Sequence, residues 1–174
     1  SSDLNVISYN AAMGACEKGE QWESARRLLD AMWHNWVTAN VKSYSAAISA
    51  CGSSAQWQRA VLILDEMRSW HVVPNVISYN ATMTACEKGE QWESARRLLD
   101  AMGQSRVAAE GRSYSAAISA CGSSAQWQRA VVILDEMRSW HVVPNAISYH
   151  ATLTAGQKGE QAARALGRGA LTER

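Results

Sequence analysis

The chain has no phenylalanine and only two prolines, and its charge nearly cancels, with 17 Lys and Arg against 16 Asp and Glu in 174 residues. It also lacks any apolar run near the ~18 residues that cross a bilayer, so no membrane span is expected. With 47% apolar residues and so little proline, it reads as a folded chain rather than a disordered one. Ser1, Ser2 and Asp3 form neither the basic nor the apolar part of a signal peptide. A near-zero net charge excludes a polycation that coats nucleic acid by bulk attraction, so any polyanion site depends on how the charges are arranged.

Arrangement is what the sequence has in abundance. Tyr9, Tyr44, Tyr79, Tyr114 and Tyr149 recur every 35 residues, and the same step carries Cys16 to Cys121, Trp22 to Trp127 and Met32 to Met137. A second period of 70 overlies the first. Residues 5–32 repeat as 75–102 except at Ala12/Thr82 and Gly14/Thr84, and residues 43–75 repeat as 113–145 except at Leu62/Val132. Two unlike units therefore alternate, which is the signature of a repeat array.

Inside a unit the apolar spacing is helical. Tyr9, Met13 and Cys16 fall at i, i+4, i+7, and Trp22, Ala25, Leu29 and Met32 at i, i+3, i+7, i+10. Each unit reads as two short helices, with Gly19, Gly89 and Gly159 or Gly52-Ser53-Ser54 and Gly122-Ser123-Ser124 at the turn between them. Such pairs cannot cover their own apolar stripes, so they stack into a superhelix with first helices inside and second helices outside.

The expected fold is all-α, a right-handed superhelical solenoid of helix-turn-helix repeats. Complete units are expected at 6–40, 41–75, 76–110 and 111–145. Residues 1–5 read as the end of a preceding repeat, and 146–174 as a degenerate partial fifth with a short second helix. The array is read as a fragment of a longer one or a processed product.

The segment 41–75, with Ser43-Tyr44-Ser45, Cys51, Ala60, Leu64, Asp65-Glu66-Met67-Arg68 and Val73-Pro74-Asn75, strongly resembles the pentatricopeptide repeat. So does 76–102, with Ile77-Ser78-Tyr79-Asn80, Glu87-Lys88-Gly89 and Leu98-Leu99-Asp100. The 34-residue tetratricopeptide repeat fits less well. The resemblance implies single-stranded RNA binding, about one base per repeat, in organellar RNA processing, stability or expression in a chloroplast or mitochondrion. It implies that the residue after the tyrosine and the last residue of the unit select the base, and that the residue two before the tyrosine packs on base faces.

Carried to this sequence, the implied selecting pairs are Asn10 with Asn40, Ser45 with Asn75, Asn80 with Glu110, and Ser115 with Asn145. The implied stacking residues are Ile7, Lys42, Ile77, Arg112 and Ile147, and Lys18, Lys88 and Lys158 face phosphate. The reading is 5′-pyrimidine-A-N-A, the third base left open because Glu110 departs from the usual closing residue. His150 begins a further slot without a closing residue.

Asn and Ser suit base selection because an amide donates and accepts and a hydroxyl rotates to do either. Even units carry Lys42 and Arg112 at the stacking position but Ser53 and Ser123 in place of the odd units' Lys, so one cation per unit remains on the face. Five such charges limit the slope of log affinity against log salt to about −3.5.

Bland roles compete with each of these. Asn40, Asn75 and Asn145 precede first helices, where Asn is a favoured N-cap. Ser53 and Ser123, three before Gln56 and Gln126, read as capping boxes. Lys42 and Arg112 read equally well as solvated charges. Glu23 with Arg27 and Arg26 with Asp30 are i, i+4 pairs on an exposed outer row.

No catalytic residues, metal ligands or cofactor are expected. The cysteines stand 35 apart, without zinc spacing, and stacked helices hold equivalent points about 8–10 Å apart, too far for a disulfide. His34, His71 and His141 lack ligating neighbours at suitable spacing, and no phosphate loop or nucleophile triad is present. Trp22, Trp57, Trp92 and Trp127 read as core staples. Trp33, Trp36, Trp70 and Trp140 read as inter-unit packing or an exposed aromatic edge, which supports the alternative of a protein-binding scaffold. The open ends of the stack also offer self-association.

Overall fold

The computed structural model describes residues 2–169, with side chains described for residues 5–160. The described residues form nine helices: α1 (Ser2–Lys18), α2 (Trp22–His34), α3 (Val41–Ser53), α4 (Trp57–Ser69), α5 (Val76–Lys88), α6 (Trp92–Gln104), α7 (Gly111–Ser123), α8 (Trp127–Ser139) and α9 (Ala146–Gly169). Among them α1, α3, α5, α7 and α9 pack successively on one another, whereas each even-numbered helix wedges between its own partner and the next first helix. The first helices thus form the closely spaced row and the second helices the spread one, so the stack curves with its hollow on the first-helix side.

The expected stripes are the core. Tyr44, Ile48 and Cys51 of α3 face Ala60, Leu64 and Met67 of α4, all fully or almost fully buried, and Tyr79, Met83 and Cys86 with Ala95 and Met102 repeat the arrangement. In the first unit Tyr9 and Cys16 are only half-buried, although Met13 is sealed. Burial pushes the thiols of Cys51 and Cys121 up to about 11 and that of Cys86 to about 12, so these three are protonated and unreactive near neutrality.

The turns at Gly19, Gly89, Ser54 and Ser124 form where expected, but glycine does not carry their left-handed residue. Glu20, Trp36, Ala55, His71, Glu90, Arg106, Ala125 and His141 carry the positive φ, while Gly19 and the other described glycines do not. Each follows a helix end in the Schellman pattern: Gln21 N–H donates to Cys16 O at 2.9 Å and Glu20 N–H to Glu17 O at 3.2 Å, and Val37 N–H donates to Met32 O at 2.8 Å. The glycines instead make room. A Cβ on Gly89 would lie 2.5 Å from the Trp57 ring, one on Gly159 2.7 Å from Trp127, and one on Gly52 2.8 Å from the Ala81 carbonyl oxygen.

The chain ends depart further. α1 begins at Ser2, so residues 2–5 are helical rather than the end of a preceding repeat; Asp3 and Leu4 do not break a helix. α9 runs unbroken to Gly169, so the expected turn at Gly159 does not form. Ala162 replaces the Trp that opens the other second helices, and alanine is the strongest helix former. Residues 170–174 of the expected tail lie outside the described residues.

The expected Ser53 and Ser123 capping boxes are absent. Gln56 and Gln126 stand at the N-caps without a side-chain bond, because Ser53 still belongs to α3 and turns its hydroxyl back to Ser49 O at 3.2 Å. The four opening tryptophans lie at the edge of the core: Trp22, Trp57 and Trp92 are half-buried and Trp127 is 44% exposed. Arg59 covers Trp22 and Arg129 covers Trp92, with guanidinium carbons 5.6 and 5.4 Å from the ring centroids.

Candidate nucleic-acid interface

The first helices α3, α5, α7 and α9 each begin at the residue after a closing Asn or Glu, which puts that residue at the N-cap. Asn40 Oδ1 accepts from Ser43 N–H at 3.1 Å, Asn75 Oδ1 from Ser78 N–H at 3.0 Å, and Asn145 Oδ1 from Ser148 N–H at 2.9 Å. The capping role is therefore filled. It also fixes the amide: with Oδ1 held against the backbone, the Nδ2 donors are the atoms left for other partners.

The serine just before each tyrosine joins the expected pairs, and the spacing argument missed it. Ser43 Oγ donates to Asn10 Oδ1 at 2.7 Å and to Asn40 Oδ1 at 3.2 Å, and Asn10 Nδ2 donates to Asn40 Oδ1 at 3.4 Å. Ser78 Oγ is hydrogen-bonded to Ser45 Oγ at 2.8 Å and donates to Asn75 Oδ1 at 3.1 Å. Ser113 Oγ donates to Asn80 Oδ1 at 2.6 Å while accepting from Glu110 N–H at 3.2 Å. Ser148 Oγ lies 3.0 Å from Ser115 Oγ and 3.1 Å from Asn145 Oδ1, and Ser115 Oγ reaches Asn145 Oδ1 at 3.4 Å. The 35-residue recurrence of Ser43, Ser78, Ser113 and Ser148 was the available signal.

All four pairs thus converge across a unit boundary, but they are not equally open. Ser45, Asn80 and Ser115 are 8%, 8% and 6% exposed, whereas Asn40, Glu110 and Asn145 are exposed. The stacking positions face outward, with Ile7, Ile77 and Ile147 about 60% exposed and Lys42 and Arg112 exposed as well. One groove of about 610 Å³ gathers Ile7, Asn10, Asn40, Lys42, Ser45 and Ile77. The next, of about 370 Å³, gathers Ile77, Asn80, Lys88, Glu110 and Arg112. Ile77 lines both.

The electrostatics are more mixed than five cations in a row. Lys88 Nζ donates to Ser53 O at 2.8 Å and Lys158 Nζ to Ser123 O at 3.3 Å, so both close the C-terminal ends of α3 and α7; Lys18 stays exposed at the end of α1. Glu17 lines both grooves. Glu87, its copy, has its carboxyl pushed upward by burial, an effect that Ser119, Lys88 and Arg112 partly oppose. No group of three or more potential metal-binding residues occurs among the described residues, and no helix in them is long and apolar enough to cross a membrane.

The family model described as the pentacotripeptide-repeat region of PRORP matches residues 4–166. The chain belongs to the pentatricopeptide repeat family. No curated protein matches it. Among solved structures, it superposes with a TM-score of 0.78 on the pentatricopeptide repeat domain of Arabidopsis thaliana protein-only RNase P 1 in complex with tRNA, at 21% identity, covering 97% of this chain and 89% of that one. Maize PPR10 is similar with a TM-score of 0.71, at 24% identity over 93% of this chain and 23% of that one. PPR10 in complex with an 18-nt psaJ RNA element gives 0.74, at 23% identity over the same shares. At these identities the likeness is one of fold, and the chain spans 23% of the length of PPR10.

Proposed function

We propose that this pentatricopeptide repeat array binds single-stranded RNA along its hollow, about one base per unit, as a binding module rather than an enzyme. The place of action is an organelle, chloroplast or mitochondrion, in the processing, stability or expression of a transcript. The observation that carries the reading is the repetition of one polar cluster at every unit boundary, each linked through a serine and flanked by side chains open to solvent. Solved structures of the same fold include complexes with RNA and tRNA.

The chemistry follows from the clusters. An N-capping Asn offers its amide N–H to a base acceptor, and the family resemblance implies which base: a pyrimidine for Asn10 with Asn40, and adenine for Ser45 with Asn75 and Ser115 with Asn145. Glu110 offers no donor, so the third slot favours a base presenting an amino group. Between bases stand Ile7, Lys42, Ile77, Arg112 and Ile147. The isoleucines give apolar contact, Arg112 stacks with charge, and Lys42 attracts phosphate.

Because Ser45, Asn80 and Ser115 also tie units together, changing them perturbs fold and binding at once; the exposed cations give a cleaner test. With Lys42→Ala and Arg112→Ala, affinity for every RNA sequence should fall alike, and each change should flatten the salt slope by about 0.7. A wild-type slope of zero would remove the polyanion from the account.

A further inference from the structure

The two unit pairs differ at one recess on the edge where second helices lead into the next unit. Between the first and second units, Trp33 of α2 lies against Trp70, with ring centroids 3.8 Å apart and planes inclined at 41°. The recess left there, of about 200 Å³, is lined by Val37, Tyr44, Val72 and the two rings, with the exposed Trp36 at its margin. Between the third and fourth units the walls are copies: Val107, Tyr114, Trp140 and Val142 stand in the same register, with Leu99, Asp100 and Glu136. The indole is missing. Gly103 replaces Trp33, a Cβ there would meet nothing within 4 Å, and Trp140 is 67% exposed. The recess widens to about 720 Å³.

The molecule therefore shows what chemistry fits this place, because its own other half fills it with a tryptophan. The same chain also carries a tryptophan in excess. Trp36, at the left-handed tip of the turn after α2, is 95% exposed, and its counterpart Arg106 lines the open recess. Donor and acceptor features thus sit on one edge, two units apart. Asp100 and Glu136 are both held by Arg96, which leaves the recess its apolar walls and Arg106, a surface that suits an indole through packing and cation–π contact.

We propose that the slot beside Trp140 receives Trp36 from a second copy of this chain. Two copies lying antiparallel along this edge fill each other's slots, a two-fold arrangement that closes on itself. The pairing does not rest on the RNA reading.

Sedimentation of the full chain over roughly 1 μM to 1 mM tests it. Wild type should form a dimer, and Trp36→Ala and Gly103→Trp should each be monomeric, the first lacking the plug and the second lacking the slot. An equimolar mixture of the two variants should associate again, at least about tenfold more weakly than wild type, since one of two linked contacts is restored. Circular dichroism checks that helicity is kept; Trp140→Ala serves as a second slot variant and should also be monomeric. A wild type that stays monomeric, a Trp36→Ala protein that pairs as well as wild type, or a mixture that fails to reassociate overturns the proposal. A monomeric wild type that binds N-acetyltryptophanamide also overturns it, by assigning the slot to another protein.

Discussion

The boundary between the first and second units and the boundary between the second and third are built differently, although the same helix hairpins meet at both. At the first, long charged side chains bridge the spread outer row: Arg26 reaches Glu66 at 2.5 Å while holding Asp30 at 2.7 Å, and Arg59 covers Trp22. At the second, the backbones close in. Gly52 admits the Ala81 carbonyl, Gly89 admits the Trp57 ring, and Arg68 donates to the Tyr79 hydroxyl at 2.8 Å. The pattern recurs 70 residues on, with Arg96 bridging Asp100 and Glu136 and with Gly122 against Ala151. The alternation of two sequence units is thus an alternation of interfaces, one electrostatic and one steric, and the two should respond to different insults.

Alkali should weaken both. The buried thiols have folded values raised to about 11 or 12, above the ordinary value, so their contribution is complete below the unfolded value and is lost as pH rises towards the folded one. Urea unfolding one pH unit above the ordinary thiol value should show a loss of about 1 kcal/mol per buried thiol, and native-state alkylation should modify Cys16 well before Cys51, Cys86 or Cys121.

A single methyl group separates the interfaces more sharply. Gly52→Ala pushes a Cβ against a backbone oxygen that cannot swing aside, so about 2 kcal/mol should be lost in urea unfolding. Gly103→Ala, which meets open space, is the matched control and should be neutral or slightly stabilising. If the two behave alike, the steric account of the second boundary is wrong.

Glu66→Gln should cost about 1 kcal/mol at low salt and progressively less as salt rises, because both partners remain partly exposed. The loss from Gly52→Ala should not change with salt. The smallest effect is a gain: Ala55→Gly and Ala125→Gly place glycine at positive φ and should each stabilise the chain by about 0.5 kcal/mol.

The hairpins, their order and their inner and outer rows were legible because Tyr, Cys, Trp and Met hold phase over four intervals and helical spacing fixes which side they face. The bonds across boundaries were not. Arg26 with Asp30 satisfies the i, i+4 rule, so nothing in the local pattern pointed to Glu66, 40 residues away. Glycine marked the turn, but not its use there: hydrogen bonding of the helix end puts the next residue in the left-handed region and leaves Gly89 to a tryptophan from the neighbouring unit. The paired positions lie close in space across each boundary, while Ser43, Ser78, Ser113 and Ser148, which link them, escaped notice because a serine at a helix start has an obvious local use.

The central claim is that the serine-linked clusters hold successive bases of an RNA strand. Its most direct test is a competition titration of the wild-type chain at one fixed salt concentration, with RNAs carrying 5′-pyrimidine-A-N-A, the same bases scrambled, and the DNA equivalent. The account predicts tighter binding of the ordered RNA than of the scrambled one, with adenine at the second and fourth places mattering most. Equal affinity for ordered and scrambled strands would contradict it.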